Sequence, residues 1–301
     1  MPDDSFNHRE YTQRPAIGFT AMISSVVLFS LMDATVKWLG GTYPTQQIMF
    51  FRCLVALIPL IVIISMHGGA RILKTRQIKM HFLRSILGIS AMALAFYAFS
   101  LMRLADAISI LHTTPIFMTA LSVLILREKV GIHRWSAVVC GFVGMLLVIR
   151  PGAGMLESGS FFMLLAALLI SCTTIIIRHL SIRDDPVCIT FYFTLTGILV
   201  SSVGMIWLGW QTPTAFDFAL LVAVGLLGGV AQYMMTLSYR HAEIAMVAPL
   251  KYLTILFGGG FGYLLWSELP DLQSTFGIAI IAMAGLYTLR RELIHANKIK
   301  I

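Results

Sequence analysis

Asp33, Lys37 and Arg52 are charges in an unfavourable place. They belong to the stretch DATVKWLGGTYPTQQIMFFR, residues 33–52, which separates the oily runs AIGFTAMISSVVLFSLM and CLVALIPLIVIISM. Asp33 and Lys37 are four residues apart and share one face of a helix. If one helix ends just past Lys37 and the next starts near Thr45, Asp33 and Arg52 each lie about 10 Å below the same surface. Ionisable groups at that depth face a bundle interior or an aqueous cavity and pair with one another. Two uses stay open at this point. Asp33 and Arg52 are an ion-pair clamp with Lys37 reaching the headgroups, or the three line a cavity that receives a charged solute. Lys251 raises the same question. It sits about two turns into a late apolar run, and Glu243 is the nearest acid on its own helix. Either its ammonium extends to the headgroups or it meets an anionic group of a solute.

Weaker candidates surround these charges. His112 is a lone histidine within an apolar run, suited to a packing hydrogen bond or to carrying a proton. Ser171, Thr173 and Thr174 fall mid-run in SCTTIIIR, and Gln232 and Tyr233 fall in GGVAQYMM. A buried amide such as Gln232 needs partners where water is absent, either as helix glue or as a solute contact. Tyr97, between Phe96 and Phe99, offers a ring that stacks on a flat solute or packs in a core. Gly225/Gly229 and Gly258/Gly262 have the spacing of close helix crossings. Enzymatic motifs are missing from the sequence. It has no phosphate-binding glycine loop with a following lysine, no HExxH, no Cys/His array and no GxSxG elbow, so no catalytic residue, metal or cofactor is expected. The four cysteines lie in or at the ends of apolar runs without a CxxC pair and read as packing residues.

The elements that must hold these residues follow from composition. Hydrophobic residues make up 58% of the 301-residue chain and charged residues 12%, against about 25% charged for a soluble domain. Lipid has to be the solvent for much of this surface. A spanning helix needs about 20 mostly apolar residues, and ten such segments run over 16–39, 46–67, 82–102, 105–126, 133–150, 158–180, 186–208, 217–238, 243–267 and 272–290. The polar start, MPDDSFNHREYTQRP, does not read as a cleavable signal. With the N-terminus in the cytoplasm, 17 of the 22 Lys and Arg fall on the cytoplasmic side, among them the five of HGGARILKTRQIKMHFLR, the last of which is Arg84. Lys37, Arg103 and Arg150 fall outside, and Arg52 and Lys251 within spans. This bias predicts that both termini are cytoplasmic and turns the +8 net charge into a matter of orientation, not of nucleic acid. Trp38, Trp207, Trp210 and Trp266 then sit at outer span ends and Trp135 at an inner one, as in an aromatic belt.

Ten spans with both ends inside divide into five plus five of opposite orientation, and the sequence carries traces of duplication. VKWL (36–39) matches IRHL (177–180), Pro44 matches Pro186, RLAD (103–106) matches RHAE (240–243), and LREKVG (126–131) matches WSELPD (266–271). These pairs keep their order at offsets of 137 to 142. The expected fold is therefore all-α integral membrane, with ten transmembrane helices as two inverted five-helix repeats. The repeats span 16–152 and 157–290, between cytoplasmic tails 1–15 and 291–301. Such repeats place a binding site near the bilayer midplane, where the halves meet.

The run ADAISILHTTPIFMTALSVLILREKVGIHRWSAVVCGFVGMLLVIRPG (105–152) resembles the fourth and fifth helices of EamA-type carriers of the drug/metabolite transporter superfamily. Ala105, Pro115, Glu128 and Gly144 carry the likeness, and Lys37 and Arg52 match positions that such carriers keep. The second half departs, with Ile255 where the family's ninth helix has its proline and Pro249 further upstream. The resemblance implies a substrate cavity between the halves, a bacterial inner membrane and a small-molecule substrate. A homodimer is left open. The fourth-span stretch looks closest to the branch with uptake carriers for compounds such as riboflavin or S-adenosylmethionine, and export of amino acids or related metabolites is the alternative. An integral-membrane enzyme on lipid-linked substrates is the reading of another class. It would need carboxylates or histidines clustered at one face, and here they are scattered.

Overall fold

A computed structural model of the chain describes residues 15–66, 69–114, 117, 121, 132–149, 158–181, 183–242, 247–268 and 271–299. Ten α-helices occur among them: α1 (Pro15–Gly40), α2 (Thr45–Met66), α3 (Ile78–Leu101), α4 (Leu104–Leu111), α5 (Ile132–Ile149), α6 (Ser158–Ser181), α7 (Pro186–Leu208), α8 (Ala215–His241), α9 (Leu253–Trp266) and α10 (Leu272–Ile299). Turns of 3₁₀ helix cover Gly69–Leu73 and Ala248–Tyr252. Six helices, α1–α3 and α6–α8, are long and apolar enough to cross a membrane, and shorter apolar stretches lie at Val139–Val148 and Leu272–Ala284. Helices suit such sequences because a helix pairs its own backbone groups where water cannot. The starts are written locally. Asp185 accepts the Val187 N–H at 3.0 Å ahead of Pro186, and Thr214 accepts the Asp217 N–H at 3.1 Å, each a side-chain cap on a first turn.

The packing has a two-fold pattern. Exchanging each helix for the one five places on converts α1–α8 into α3–α6 and α2–α8 into α3–α7, and all four pairs are in contact. It likewise converts α1–α9 into α4–α6, while α2–α7, α4–α9 and α5–α10 map onto themselves and are also formed. Glycines make the close crossings. A Cβ at Gly229 would lie 2.8 Å from that of Ala56, and one at Gly225 would strike Val55, so α8 rests directly on α2. Gly258 faces Ile108 of α4, and Gly144 and Gly277 face each other's carbonyls across α5–α10.

Three features differ from the sequence expectation. A short link suggests that α1 and α2 lie side by side, yet they barely touch, and α8 packs against both. The regular helix of α4 stops at Leu111 and a turn follows at His112 and Thr113, inside the expected span 105–126, and α9 is preceded by a 3₁₀ turn at Ala248–Tyr252, inside the expected span 243–267. Pro249 lies in that turn, so the ninth segment departs from regular α-helix upstream of Ile255. Finally, α10 continues past 290 to Ile299. Pro115, Glu128 and Glu243 lie outside the described residues.

The two ends of the bundle are held differently. At the end where α1 finishes, here the distal end, one large buried cluster runs from Val36, Leu39 and Tyr43 through Phe96, Phe99 and Leu104 to Val224 and Ile255. Tyr43 donates to Asp217 at 2.7 Å, and Gln47 exchanges two hydrogen bonds with the Gln211 backbone. The Asp217 contact raises the Tyr43 phenol above its ordinary range. The opposite, proximal end is held by two small apolar clusters, around Met22 and Ala242 and around Ile177 and Ile189. Polar ties supplement them. Asp184 meets His81 and Thr75 at 2.8 Å, and Arg240 pairs with Asp185.

Candidate functional site

A left-handed residue ends α9. Ser267 has φ 54°, and the Glu268 N–H returns to the Gly262 carbonyl at 3.0 Å, a turn that closes helix C-termini. It aims the Glu268 carboxylate at α1. Lys37 donates to both Glu268 oxygens at 2.7 Å and to the Met102 carbonyl at 3.1 Å. The Leu104 N–H adds a bond to the same carboxylate at 3.2 Å, and the ammonium lies 4.9 Å from the centre of the Trp266 ring. Lys37 therefore does not stretch to the headgroups. It ties α1 to α9 and to the α3–α4 link, beside a cleft of about 420 Å³ lined by these two residues and Ser100–Arg103.

Deeper in, the interrupted fourth and ninth segments meet. Where a helix breaks within lipid, its freed carbonyls need new donors, and Ser, Thr and His supply them. Thr113 and Thr114 donate back to Ile110 and Leu111 at 2.7 and 2.5 Å, and Ser171 of α6 reaches the Thr114 carbonyl at 3.1 Å. His112 spans the junction. Nδ1 faces the Ile108 carbonyl and Nε2 faces the Lys251 carbonyl, both at 2.8 Å, with the Thr254 hydroxyl 2.8 Å from Nε2. His112 and Lys251 are 139 positions apart, within the offsets of the repeat, so equivalent points of the two halves touch here. The Lys251 ammonium turns elsewhere and lies 5.3 Å from the Tyr239 ring centre.

The third group lies where α2 and α7 cross. Arg52 and Phe193 are both the eighth residue of their helices, and the Arg52 guanidinium stands 5.0 Å from the Phe193 ring centre. Equivalent residues meet only near a two-fold axis, so this contact too marks the middle of the molecule. The Arg84 guanidinium stands 3.9 Å from the same ring. Both arginines are 2% exposed, and Nε and Nη1 of each have no hydrogen-bond partner. Gly228 lets α8 approach, since a Cβ there would lie 2.7 Å from Met32 Sδ and 3.0 Å from Arg52 Nε. One turn further along α8, the Gln232 Nε2 is also without a partner.

The sequence candidates divide accordingly. Arg52, Gln232 and Asp33 are on the helices that enclose this middle region. Asp33 acts on Arg52 through its charge, but the two side chains form no ion pair within 4 Å, because α8 holds α1 and α2 apart. The expected Asp33–Arg52 clamp is thus replaced by a longer-range attraction. His112 and Lys251 form the junction of the broken segments, and Lys37 forms the distal tie. Thr173 is buried with its hydroxyl committed to the Leu169 carbonyl at 2.8 Å, and Tyr233 is half-buried on α8. Tyr97 is 43% exposed and packs edge-on against Phe162, away from these groups. Arg84 was missed. Counted with the positive link before it, it lies six residues inside α3, about 9 Å along the axis. The signal was there, because RSILGIS already belongs to an apolar helix. Glu268 was noted only as a repeat partner of Glu128.

Residues 16–150 and 157–290 each match the family model of the EamA-like transporter family. The pseudopaline exporter CntI of Pseudomonas aeruginosa is 30% identical over 260 residues, covering 85% of this chain and 90% of its own. The S-adenosylmethionine uptake transporter of Rickettsia bellii is 27% identical over 280 residues, covering 92% and 94%. The riboflavin transporter of Rhizobium johnstonii is 26% identical over 287 residues, covering 95% of both. A crystal structure of another protein superposes with a TM-score of 0.66 over 95% of this chain and 99% of its own, at 17% identity, a likeness of fold.

Proposed function

The chain belongs to the EamA-like transporter family, and from this premise we propose that it is a secondary transporter. It moves a small organic metabolite across a bacterial inner membrane by alternating access, with both termini in the cytoplasm. The observation that supports this best is the meeting of equivalent points of the two repeats, His112 with Lys251 and Arg52 with Phe193, beside buried polar groups left without partners. Broken helices and a site on the repeat interface are what an alternating carrier needs, since one half can then rock against the other around a fixed site. In this reading Asp33, Arg52, Gln232, His112 and Lys251 contact the substrate, with Thr173 and Tyr233 at the margin. Lys37 with Glu268 is the closed distal gate. Tyr97 lies outside the site.

Uptake of a compound such as riboflavin or S-adenosylmethionine is one direction, in keeping with the names of two relatives. Export of amino acids or related metabolites is favoured by the 30% identity to a pseudopaline exporter. Purified protein in liposomes, offered labelled riboflavin, S-adenosylmethionine and amino acids, separates the two when the vesicles are loaded from either side. Accumulation of an unchanged compound supports a carrier. Conversion without accumulation would return the protein to the enzymes.

A further inference from the structure

Arg52 and Arg84 are two buried cations over one aromatic ring, and their surroundings do not neutralise them. Isolated buried charge is costly unless paired and hydrogen-bonded. Here one carboxylate, Asp33, acts on Arg52 from beyond hydrogen-bonding distance, and among the described residues no acid pairs with Arg84. Two guanidiniums against at most one carboxylate leave positive charge uncompensated. Nε and Nη1 of both arginines lack acceptors, and the Gln232 Nε2 one turn from Gly228 lacks one as well. Five buried donors from α2, α3 and α8 lack acceptors in the same region, where the Arg52–Phe193 contact marks the centre of the bundle. The Phe193 ring satisfies guanidinium faces but accepts none of these N–H bonds.

We propose that this cluster is a binding site for the anionic group of the transported solute, specifically an organic monoanion such as a carboxylate. The inference rests on the carrier reading above and names the solute class for its central site. Arg84 is the principal ligand and Arg52 the second, with Phe193 fixing both planes. Asp33 is the resident counter-charge that keeps Arg52 tolerable while the site is empty. With Asp33 ionised, a monoanion brings the cluster to neutrality, whereas a dianion such as hydrogen phosphate overshoots. Guanidinium N–H groups are the donors best matched to a planar carboxylate. Lys251, whose ammonium lies against Tyr239 on the proximal side, is then an approach contact and not the anion ligand.

The test uses the full chain in lipid nanodiscs and reads its thermal midpoint during titration with sodium acetate, acetamide or inorganic phosphate at constant ionic strength. Acetate should raise the midpoint of the wild-type protein saturably, and acetamide should not. Arg84→Met should lose the acetate response while starting from an equal or higher midpoint, because an apolar replacement removes the desolvation cost. Arg84→Lys keeps the charge and should retain a weakened response. Asp33→Asn removes the competing carboxylate and should lower the acetate concentration needed for half the shift by about tenfold if that competition amounts to 1.4 kcal/mol. An equal response to acetamide, a stronger one to phosphate, or an acetate response unchanged in Arg84→Met overturns the site. The readout needs no transport. A protein that responds to acetate yet carries nothing in liposomes refutes the carrier reading alone, and one that carries solutes with no acetate response refutes the anion site alone.

Discussion

Lys37–Glu268 and Arg52–Arg84 are charge groups in the same bundle with opposite histories. In the first, every contact is supplied from within the protein. The ammonium has two carboxylate oxygens, a carbonyl and an indole face, and the carboxylate has a backbone N–H besides. In the second, two like charges lie over Phe193 with four donor nitrogens unsatisfied. A saturated pair fixes one arrangement of the helices it joins, and a protein gains by holding it only in that arrangement. An unsaturated pair costs stability in every arrangement that lacks its ligand. In the proposed carrier this difference is what distinguishes the gate from the binding site.

The largest effect should come from breaking the saturated pair. Lys37→Met leaves the Glu268 carboxylate stranded and should lower unfolding free energy by about 3 kcal/mol, the lower end for a broken buried pair, because Glu268 keeps 22% exposure. Lys37→Met with Glu268→Gln should recover most of that loss in a thermal melt. A smaller and opposite effect belongs to the arginines. Arg84→Met should leave the solute-free protein equally stable or stabilise it by up to about 2 kcal/mol, the lower part of the range for replacing buried ionic groups with apolar volume, while transport falls. Destabilisation of both groups to the same extent would erase the distinction between them. Lys251→Gln comes next. It should insert normally and lose transport by about tenfold, equivalent to 1.4 kcal/mol of binding, and wild-type rates for every tested solute would leave the lysine as a contact of Tyr239 only. The smallest effect sharpens the contrast at the broken helices. Ser171→Ala removes one donor to the Thr114 carbonyl and should cost about 1 kcal/mol, measured by the same melt.

Much of this architecture is written locally and was readable. The apolar runs mark the helices, Asp185–Pro186 and Thr214 mark two starts, and Gly225/Gly229 and Gly258/Gly262 mark crossings that the structure places against α2 and α4. What stayed hidden depends on pairing between distant segments. A short link suggests that α1 and α2 are neighbours, but the two-fold packing gives each of them to α8, and the Asp33–Arg52 clamp disappears with that neighbour relation. Arg84 follows four basic residues, Arg71, Lys74, Arg76 and Lys79, and in the sequence counts with that cytoplasmic run, although its own helix begins at Ile78. The breaks at His112 and Pro249 sit in apolar stretches long enough to read as single spans, and only Pro115 and Pro249 in the sequence hint at interruption. Local donors, Thr113 and Thr114, satisfy part of the interruption, and the rest comes from contacts between distant segments, Ser171 with the Thr114 carbonyl and His112 with the Lys251 carbonyl.

Exchange across the membrane is the property on which the account turns, and solute counterflow measures it directly. Liposomes containing the protein are loaded with unlabelled riboflavin, S-adenosylmethionine or an amino acid and diluted into a trace of the same labelled compound. A carrier that alternates around one central site should concentrate label transiently inside the vesicles for at least one of these compounds, with the compound recovered unchanged. Label that only equilibrates, without an overshoot for any of them, or that emerges chemically altered, would contradict the account.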